Sequence, residues 1–221
     1  MLVKDFMTKV VVTVTEDQSM LEARELMRSK KLISIPVVDD MKRIRGIITA
    51  DDVNKVSPSD ASTLSRHEAN YLLGRFRVRD IMSRTVITVH EDETIEYVAY
   101  KLYKHKVNAL PVADADNKIV GIIAQMDIFR SFVEIMGMDR GCTRITFATE
   151  DKPGVVAEIS NILKEADVNI ITLISHPTDK ENNKAEVVIR VDLSNKGMDV
   201  IENLRQAGYE ITSIMNYEGI E

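Results

Sequence analysis

The sequence contains a single cysteine, Cys142, among its 221 residues, so no disulfide can form within the chain. A chain without disulfides fits a reducing compartment. No stretch approaches the ~20 apolar residues needed to cross a bilayer. Residues 1–14 also lack an apolar core followed by a small-residue cleavage site. These absences predict a cytoplasmic protein without a membrane partner.

An excess of positive charge is also missing. The chain has 29 basic and 35 acidic residues, a formal net charge of -6, and no basic block. Binding to nucleic acid through its phosphates is therefore not expected. The histidines show none of the spacings that hold zinc, which predicts no metal site; they are His67, His90, His105 and His176.

What the sequence does contain is an internal repeat across its first two thirds. A set of residues recurs 75 positions later without a slip in register. The first set is Val3, Asp5, Met7, Val11, Thr13, Val14, Glu16 and Asp17, and the second is Val78, Asp80, Met82, Val86, Thr88, Val89, Glu91 and Asp92. Further along, Pro36, Val37 and Gly46 recur as Pro111, Val112 and Gly121. Each repeat is therefore expected to fold in the same way.

Each repeat shows the same order of local patterns. In the first, the β-branched residues 10–14 predict a strand, as residues 86–89 do in the second. Apolar residues at helical spacing then predict an amphipathic helix. Two short apolar runs, residues 33–38 and 44–48, predict two strands joined by a polar turn. A second helix is expected to begin near Ala50.

This order resembles the cystathionine-β-synthase (CBS) domain. The resemblance is carried by the Asp-x-Met opening, the Pro-Val strand and the closing Gly-x-x-Thr-x-x-Asp. It implies an α+β fold with a tandem CBS pair, with domains at residues 1–56 and 78–135 and a structured connector at 57–77. The connector also resembles that of acetoin-utilisation (AcuB) proteins, a narrower group of CBS proteins, which implies a link to acetoin utilisation.

Thr49 and Asp52 are the candidate ligand-binding pair. They lie three residues apart where a strand is expected to end and a helix to begin, so a hydroxyl and a carboxylate can both face the diol of a ribose. In the simpler alternative, Thr49 caps the helix and Asp52 interacts favourably with its dipole. The second repeat has Ala124 in place of the threonine but keeps Asp127.

The CBS resemblance implies two clefts, each built from both repeats, that bind AMP or another adenosine compound as a regulatory ligand. The cleft expected to bind more tightly combines Ile47, Thr49, Asp52, Met82, Ile87, Val107, Asn108 and Leu110. The weaker cleft combines Met7, Val12, Leu32, Ile33, Ile35, Ile122, Ala124 and Asp127. The loss of one hydroxyl predicts a several-fold difference in affinity.

The C-terminal third has a different pattern. Residues 143–148 predict a strand, and the strands, helices and turns that follow predict a βαββαβ arrangement over residues 142–221. With Asp-x-Pro-Gly at its first turn, this part resembles a ferredoxin-like ACT domain. The resemblance implies an amino-acid-binding site formed by Asp151, Gly154, Val155 and Asn169. In such a site the asparagine contacts the ligand across a dimer interface. Equally, these residues could only shape the turn and the following bend.

Catalysis would need a nucleophile or an acid–base pair in one cleft, and the candidate residues in this sequence have simpler explanations. We therefore expect no catalytic residue, no required cofactor and no enzymatic activity. We expect a non-catalytic homodimeric regulator that binds an adenosine-type nucleotide and acts on an unidentified protein. The alternatives are an amino-acid sensor acting through the ACT-like part, or an interaction module that binds no small molecule.

Overall fold

The computed structural model describes residues 1–57, 66–139, 141–179, 181–193 and 197–218. The chain divides into two units, Met1–Phe129 and Arg130–Glu221. The elements of the two repeats are α1 (Val3–Phe6), α2 (Met20–Lys30), β1 (Ser34–Val38), β2 (Ile44–Thr49), α3 (Ala50–Val56), α4 (Arg66–Arg75), α5 (Val78–Ile81), α6 (Ile95–His105), β3 (Ala109–Ala113), β4 (Ile119–Ala124) and α7 (Gln125–Ile135).

The predicted helices begin at polar caps. At the start of α2, the Ser19 side chain accepts a hydrogen bond from Glu22 N, and the Glu22 side chain accepts one from Ser19 N in return. Such a capping box satisfies donors that the first helical turn leaves free. Thr94 caps α6 in the same place in the second repeat. Both helices bury the apolar face that their spacing predicts.

The strands after each helix form antiparallel pairs, β1 with β2 and β3 with β4, as predicted. The predicted opening strands at residues 10–14 and 86–89 are wrong, since each keeps a single parallel bridge, Val14 to Val37 and Val89 to Val112. Val38 N donates to Val14 O, and the next donor on that edge would be Pro36. Proline has no N–H, so pairing ends there.

The short opening helix of each repeat packs on the core of the other repeat. Val3 and Phe6 of α1 are buried with Val89 and Leu110 in the second repeat's core. Val78 of α5 is buried in the first repeat's core. Their backbones are anchored there too, since Val3 N donates to Glu93 O and Val78 N to Gln18 O. Each opening segment therefore completes its neighbour.

Helix α4 fixes the connector to the first repeat. Leu73 is fully buried in that core, and Arg24 Nη2 of α2 donates to Asn70 Oδ1 at 2.6 Å. A connector helix is expected from the sequence, although residues 58–65 of it lie outside the described part. The described part of the linker, from residue 66 onward, is thus packed on the first repeat.

The second unit contains β5 (Cys142–Glu150), α8 (Val155–Glu165), β6 (Ile170–Asp179), β7 (Lys184–Val191), α9 (Gly197–Gln206) and β8 (Glu210–Tyr217). In the described part these strands form an antiparallel sheet of order β6-β7-β5-β8. Residues of α8 and α9 share one core with β5 and β7. This arrangement confirms the predicted ferredoxin-like βαββαβ fold.

One buried tyrosine gives this unit a testable dependence on pH. Tyr209 is 8 % exposed, and its hydroxyl donates to Glu158 Oε2 at 2.8 Å. Burial, together with this hydrogen bond, raises the pKa of Tyr209 to about 12. Above the unfolded pKa of about 10 the unfolded chain releases the phenolic proton first, so stability falls as pH rises toward the folded pKa.

We expect the wild type to lose about 1–2 kcal/mol of unfolding free energy relative to Tyr209→Phe between pH 10 and 12. Chemical denaturation across this range measures the difference. The phenylalanine variant supplies the control, because other groups that titrate in this range affect both proteins alike. Equal pH dependence of the two proteins would contradict the assignment.

Candidate functional site

The two repeats join where the second strand of one meets the opening segment of the other. Ile47 N donates to Ser83 O at 3.0 Å, and Ser83 N donates to Ile47 O at 2.9 Å. Thr8 and Ile122 exchange the equivalent pair of bonds. These contacts place Met82 beside Ile47 and Met7 beside Ile122.

Glycine allows this close approach. A Cβ at Gly46 would lie 2.6 Å from Met82 Sδ, and one at Gly121 would lie 2.5 Å from Met7 Sδ. Neither glycine was expected from the sequence to have this role. Their recurrence at the repeat spacing was a usable signal, because a glycine inside a strand often marks a close backbone approach.

Thr49 and Asp52 meet at the start of α3. Thr49 N and Thr49 Oγ1 both donate to Asp52 Oδ2, at 3.0 and 2.7 Å, and Asp52 N donates to Thr49 Oγ1 at 3.3 Å. Thr49 thus caps α3, as in the simpler alternative. It occupies Oδ2 of the carboxylate, while Oδ1 accepts from Lys55 Nζ at 3.1 Å.

These hydrogen bonds keep the carboxyl group of Asp52 ionised. Partial burial alone raises the pKa of Asp52, but hydrogen bonds from Thr49 and Lys55 outweigh burial and leave the pKa below its ordinary value. The carboxylate is therefore ionised at neutral pH. The Lys55 side chain is 73 % exposed, so a ligand hydroxyl can replace it at Oδ1 at little cost.

The second repeat has a reduced version of this arrangement. Ala124 N donates to Asp127 Oδ2 at 2.8 Å, which matches the bond from Thr49 N. Ala124 has no hydroxyl to add a second bond to the carboxylate. The predicted difference in affinity between the two clefts stays a prediction.

The remaining predicted cleft residues lie in different surroundings. Asn108 O accepts from Gln125 N at 3.0 Å, and Ile33 O accepts from Ala50 N at 2.9 Å, so each contacts the helix start of its own repeat. Val107 O accepts from Gln125 Nε2. Among the described residues, no hydrogen bond joins Asn108 to the Thr49 and Asp52 pair.

The other predicted cleft residues differ in how far their side chains are buried. The side chains of Ile35 and Leu110 belong to the two repeat cores, so only their backbones are available to a ligand. The half-buried side chains are Val12, Leu32, Ile87 and Val107. The full membership of both clefts, including the crosswise grouping of Asn108, stays a prediction.

The predicted amino-acid residues fall into two places within one chain. Asp151, Gly154 and Val155 line a surface depression of about 410 Å³ at the start of α8. Gly154 has a φ of 102°, a conformation that favours glycine. Asn169 lines a second depression of about 420 Å³ beyond the other end of that helix. Since α8 has 11 residues and spans roughly 16 Å, Asn169 does not complete the first depression in the same chain.

The described part of the chain shows neither a metal-binding group of side chains nor a membrane-spanning helix. No group of His, Cys, Asp or Glu side chains there could hold a metal ion. In those same ranges, the helices are too short or too polar to span a bilayer.

Comparison with family models supports the architecture. The CBS domain model matches residues 3–59 and 78–134, which together make up just over half of the chain. The ACT domain model matches residues 143–199. CBS and ACT domains are regulatory modules.

Related proteins match the CBS part. The L-aspartate semialdehyde sulfurtransferase of Methanocaldococcus jannaschii is 33% identical over 131 residues, which are 59% of this chain but only 23% of that enzyme. The chain thus spans less than a quarter of the length of this curated relative.

Solved structures match the same region. The CBS domain pair of protein MJ0100, in complex with 5′-methylthioadenosine and S-adenosyl-L-methionine, is 32% identical, with a TM-score of 0.50 over 60% of this chain and 99% of that one. CBSX2, from Arabidopsis thaliana, in complex with AMP is 28% identical, with a TM-score of 0.51 over 61% and 97%.

AcuB from Vibrio cholerae shares the fold, at 23% identity and a TM-score of 0.52 over 62% of this chain and 94% of that one. Its similarity, like the other two, covers the repeats. Taken with the two family matches, the paired strands and the shared cores, this places the chain in the CBS domain family, as a tandem CBS pair followed by a C-terminal ACT domain.

Proposed function

We propose that this protein is a non-catalytic regulator that binds AMP or another adenosine compound between its CBS repeats. The observation that carries the proposal is the Thr49 and Asp52 pair at the start of α3. It presents an ionised carboxylate whose Oδ1 is held only by an exposed lysine among the described residues. The solved CBS pairs with methylthioadenosine, S-adenosylmethionine and AMP support this ligand class.

Each part of such a ligand has a matching group. A ribose hydroxyl donates to Asp52 Oδ1 in place of Lys55, and this charge-assisted bond is stronger than one between neutral groups. Apolar side chains at the junction, Ile47 and Met82 among them, are suited to the adenine ring. The helix start favours a negatively charged group nearby.

The residues just before the two Pro-Val strands indicate how many phosphates the ligand carries. Some CBS domains have an arginine or histidine just before the Pro-Val strand that meets phosphates. The resemblance places Ile33, Ser34, Asn108 and Ala109 at those positions, and none of them carries a positive charge. Lys31 and Lys106 lie nearby at the ends of α2 and α6. We therefore favour a monophosphate or an adenosyl compound with less negative charge over a triphosphate.

Isothermal titration of the purified full chain with AMP, methylthioadenosine, S-adenosylmethionine and ATP tests the proposal. We expect saturable binding of at least one of the first three and weaker binding of ATP. Guanosine monophosphate serves as the control for the base. Absence of binding by every adenosine compound would overturn the proposal.

The ACT domain supports a second candidate, an amino-acid sensor, because Asp151, Gly154 and Val155 line a depression at a helix start. In this proposal Asn169 comes from the second copy in a homodimer, since it lies at the far end of α8. Titration with the twenty amino acids, with Asn169→Ala as the variant, separates this candidate from the first. We infer no catalytic role, and the regulated protein, cytoplasmic location and acetoin link stay proposals.

A further inference from the structure

The two helices of the second repeat carry large apolar side chains on their exposed sides. Five of these side chains are each more than half exposed and form the apolar face of the second repeat: Tyr97, Tyr100, Tyr103, Met126 and Phe129. A depression of about 620 Å³ connects the two helices, since Tyr100 and Tyr103 of α6 line it together with Gln125 at the start of α7. Exposed apolar surface that is concentrated in this way marks an interaction site.

The first repeat has no such face. Because the repeats keep a constant spacing of 75 residues, each member of the apolar face has an equivalent in the first repeat. These equivalents are all polar or charged: Glu22, Glu25, Arg28, Asp51 and Asn54. Both repeats nevertheless form the same order of helices and strands. The fold of a repeat therefore does not require apolar side chains at these exposed positions.

Helix α6 has a pattern of exposed residues that is the same in both directions from Tyr100. Tyr97 and Tyr103 lie three residues to either side, and the exposed Glu96 and Lys104 lie four. Residues three and four apart lie on one side of a helix. If two copies of α6 pack antiparallel about a twofold axis at Tyr100, the acidic end of each helix lies beside the basic end of the other. The pattern is thus complementary to itself, as a twofold contact requires.

The size and order of the apolar face also suit a dimer. An aromatic side chain buries about 150–250 Å², so the exposed parts of the four aromatic members amount to roughly 400–600 Å². A standard interface takes about 800 Å² from each partner, and the aromatic side chains alone supply half of that or more. The rings of Tyr97 and Tyr100 already stack, with centroids 6.2 Å apart, so less entropy is lost when a partner orders them.

We propose that two copies of this chain associate through the apolar face of the second repeat, with their α6 helices antiparallel about Tyr100. Since the same surface is used on both copies, the contact closes at a dimer. The polar helices of the first repeat stay in solvent. This association does not depend on adenosine binding in the CBS clefts or on an amino acid at Gly154, so its test is independent of both.

Sedimentation velocity of the full chain over a range of concentrations measures the dissociation constant of the dimer. Tyr100→Glu gives the second repeat the residue type that the first has at this position, and it places two like charges at the twofold axis. We expect it to weaken the dimer at least tenfold. Phe129→Asn, matched to Asn54, should act in the same direction. The control is Tyr71→Glu on α4, since Tyr71 is equally exposed but lies outside the apolar face.

Charge reversal tests the antiparallel arrangement. Glu96→Lys and Lys104→Glu each place like charges side by side in a dimer of the variant, so each should weaken the dimer several-fold. In a mixture of these two single variants, every such contact joins opposite charges, and dimers should form with about the wild-type affinity. A merely structural role of either residue would not be rescued by mixing.

The proposal is overturned if the wild type stays monomeric at every concentration. It is also overturned if Tyr100→Glu and Phe129→Asn keep the wild-type dissociation constant, because the dimer would then form through another surface such as the ACT domain. Mixing without rescue overturns the antiparallel contact. A monomeric wild type that binds phosphatidylglycerol vesicles, with this binding lost in Tyr100→Glu, would assign the apolar face to a lipid surface instead.

Discussion

Asp52→Ala is expected to weaken binding of AMP or a related adenosine compound at least tenfold, a loss of about 1.4 kcal/mol. The reason is that Asp52 carries the ionised carboxylate of the better cleft, with Oδ1 accessible once the exposed Lys55 moves away. Removing it deletes a charge-assisted bond to the ribose. Isothermal titration with the wild type and the variant measures the change.

The second repeat provides the matched control. Asp127→Ala removes the equivalent carboxylate beside Ala124 and should affect only the weaker site. Ala124→Thr adds the hydroxyl that the first repeat has, and should strengthen binding there several-fold. If Asp52→Ala and Asp127→Ala have equal effects, the predicted asymmetry is wrong. If neither changes affinity, the ligand binds elsewhere.

Gly46→Ala is expected to lower the free energy of unfolding of the CBS pair by about 2 kcal/mol. The new methyl would lie 2.6 Å from Met82 Sδ and 2.9 Å from the backbone oxygen of Ser83. That oxygen cannot withdraw freely, because Ser83 and Ile47 are joined by two backbone hydrogen bonds. The joint between the repeats must therefore open or distort.

Two other glycines serve as comparisons for this prediction. At Gly121 the closest atoms belong to the half-buried Met7 side chain, and the backbone oxygen of Thr8 is 3.3 Å away, so Gly121→Ala should cost less. At Gly74, inside helix α4, a Cβ would contact nothing within 4 Å, so alanine there should raise stability by up to about 1 kcal/mol. Chemical denaturation, with hydrogen exchange to identify the CBS transition, measures all three. Equal stability of the Gly46 and Gly74 variants would contradict the clash.

Much of the local structure could be predicted because it depends on neighbouring residues. Ser19 and Glu22 form a capping box, and residues 184–191 predict a strand whose bounds match those of β7. The prediction failed at residues 10–14, where the β-branched run favours a strand but Pro36 withholds the donor that a longer ladder needs. That effect involves a residue more than twenty positions away.

The candidate site shows the same division. Thr49 and Asp52 are three residues apart, so their meeting at a helix start follows from the sequence alone. Asn169 and Gly154 are separated by α8, and only the folded structure shows that the helix holds them at opposite ends. Arg144 lies opposite Arg190 because of the register between β5 and β7, which likewise only the folded structure shows.

By itself the sequence determined that there are two equivalent repeats, where their helices and hairpins lie, and that only one repeat carries the threonine beside its aspartate. The tertiary structure alone decided that α1 completes the second repeat and α5 the first. Val3 and Val78 occupy the same local pattern, and burial of apolar surface has no direction that would select one core over the other. Shape and backbone pairing at the junction, with glycine at positions 46 and 121, make that choice.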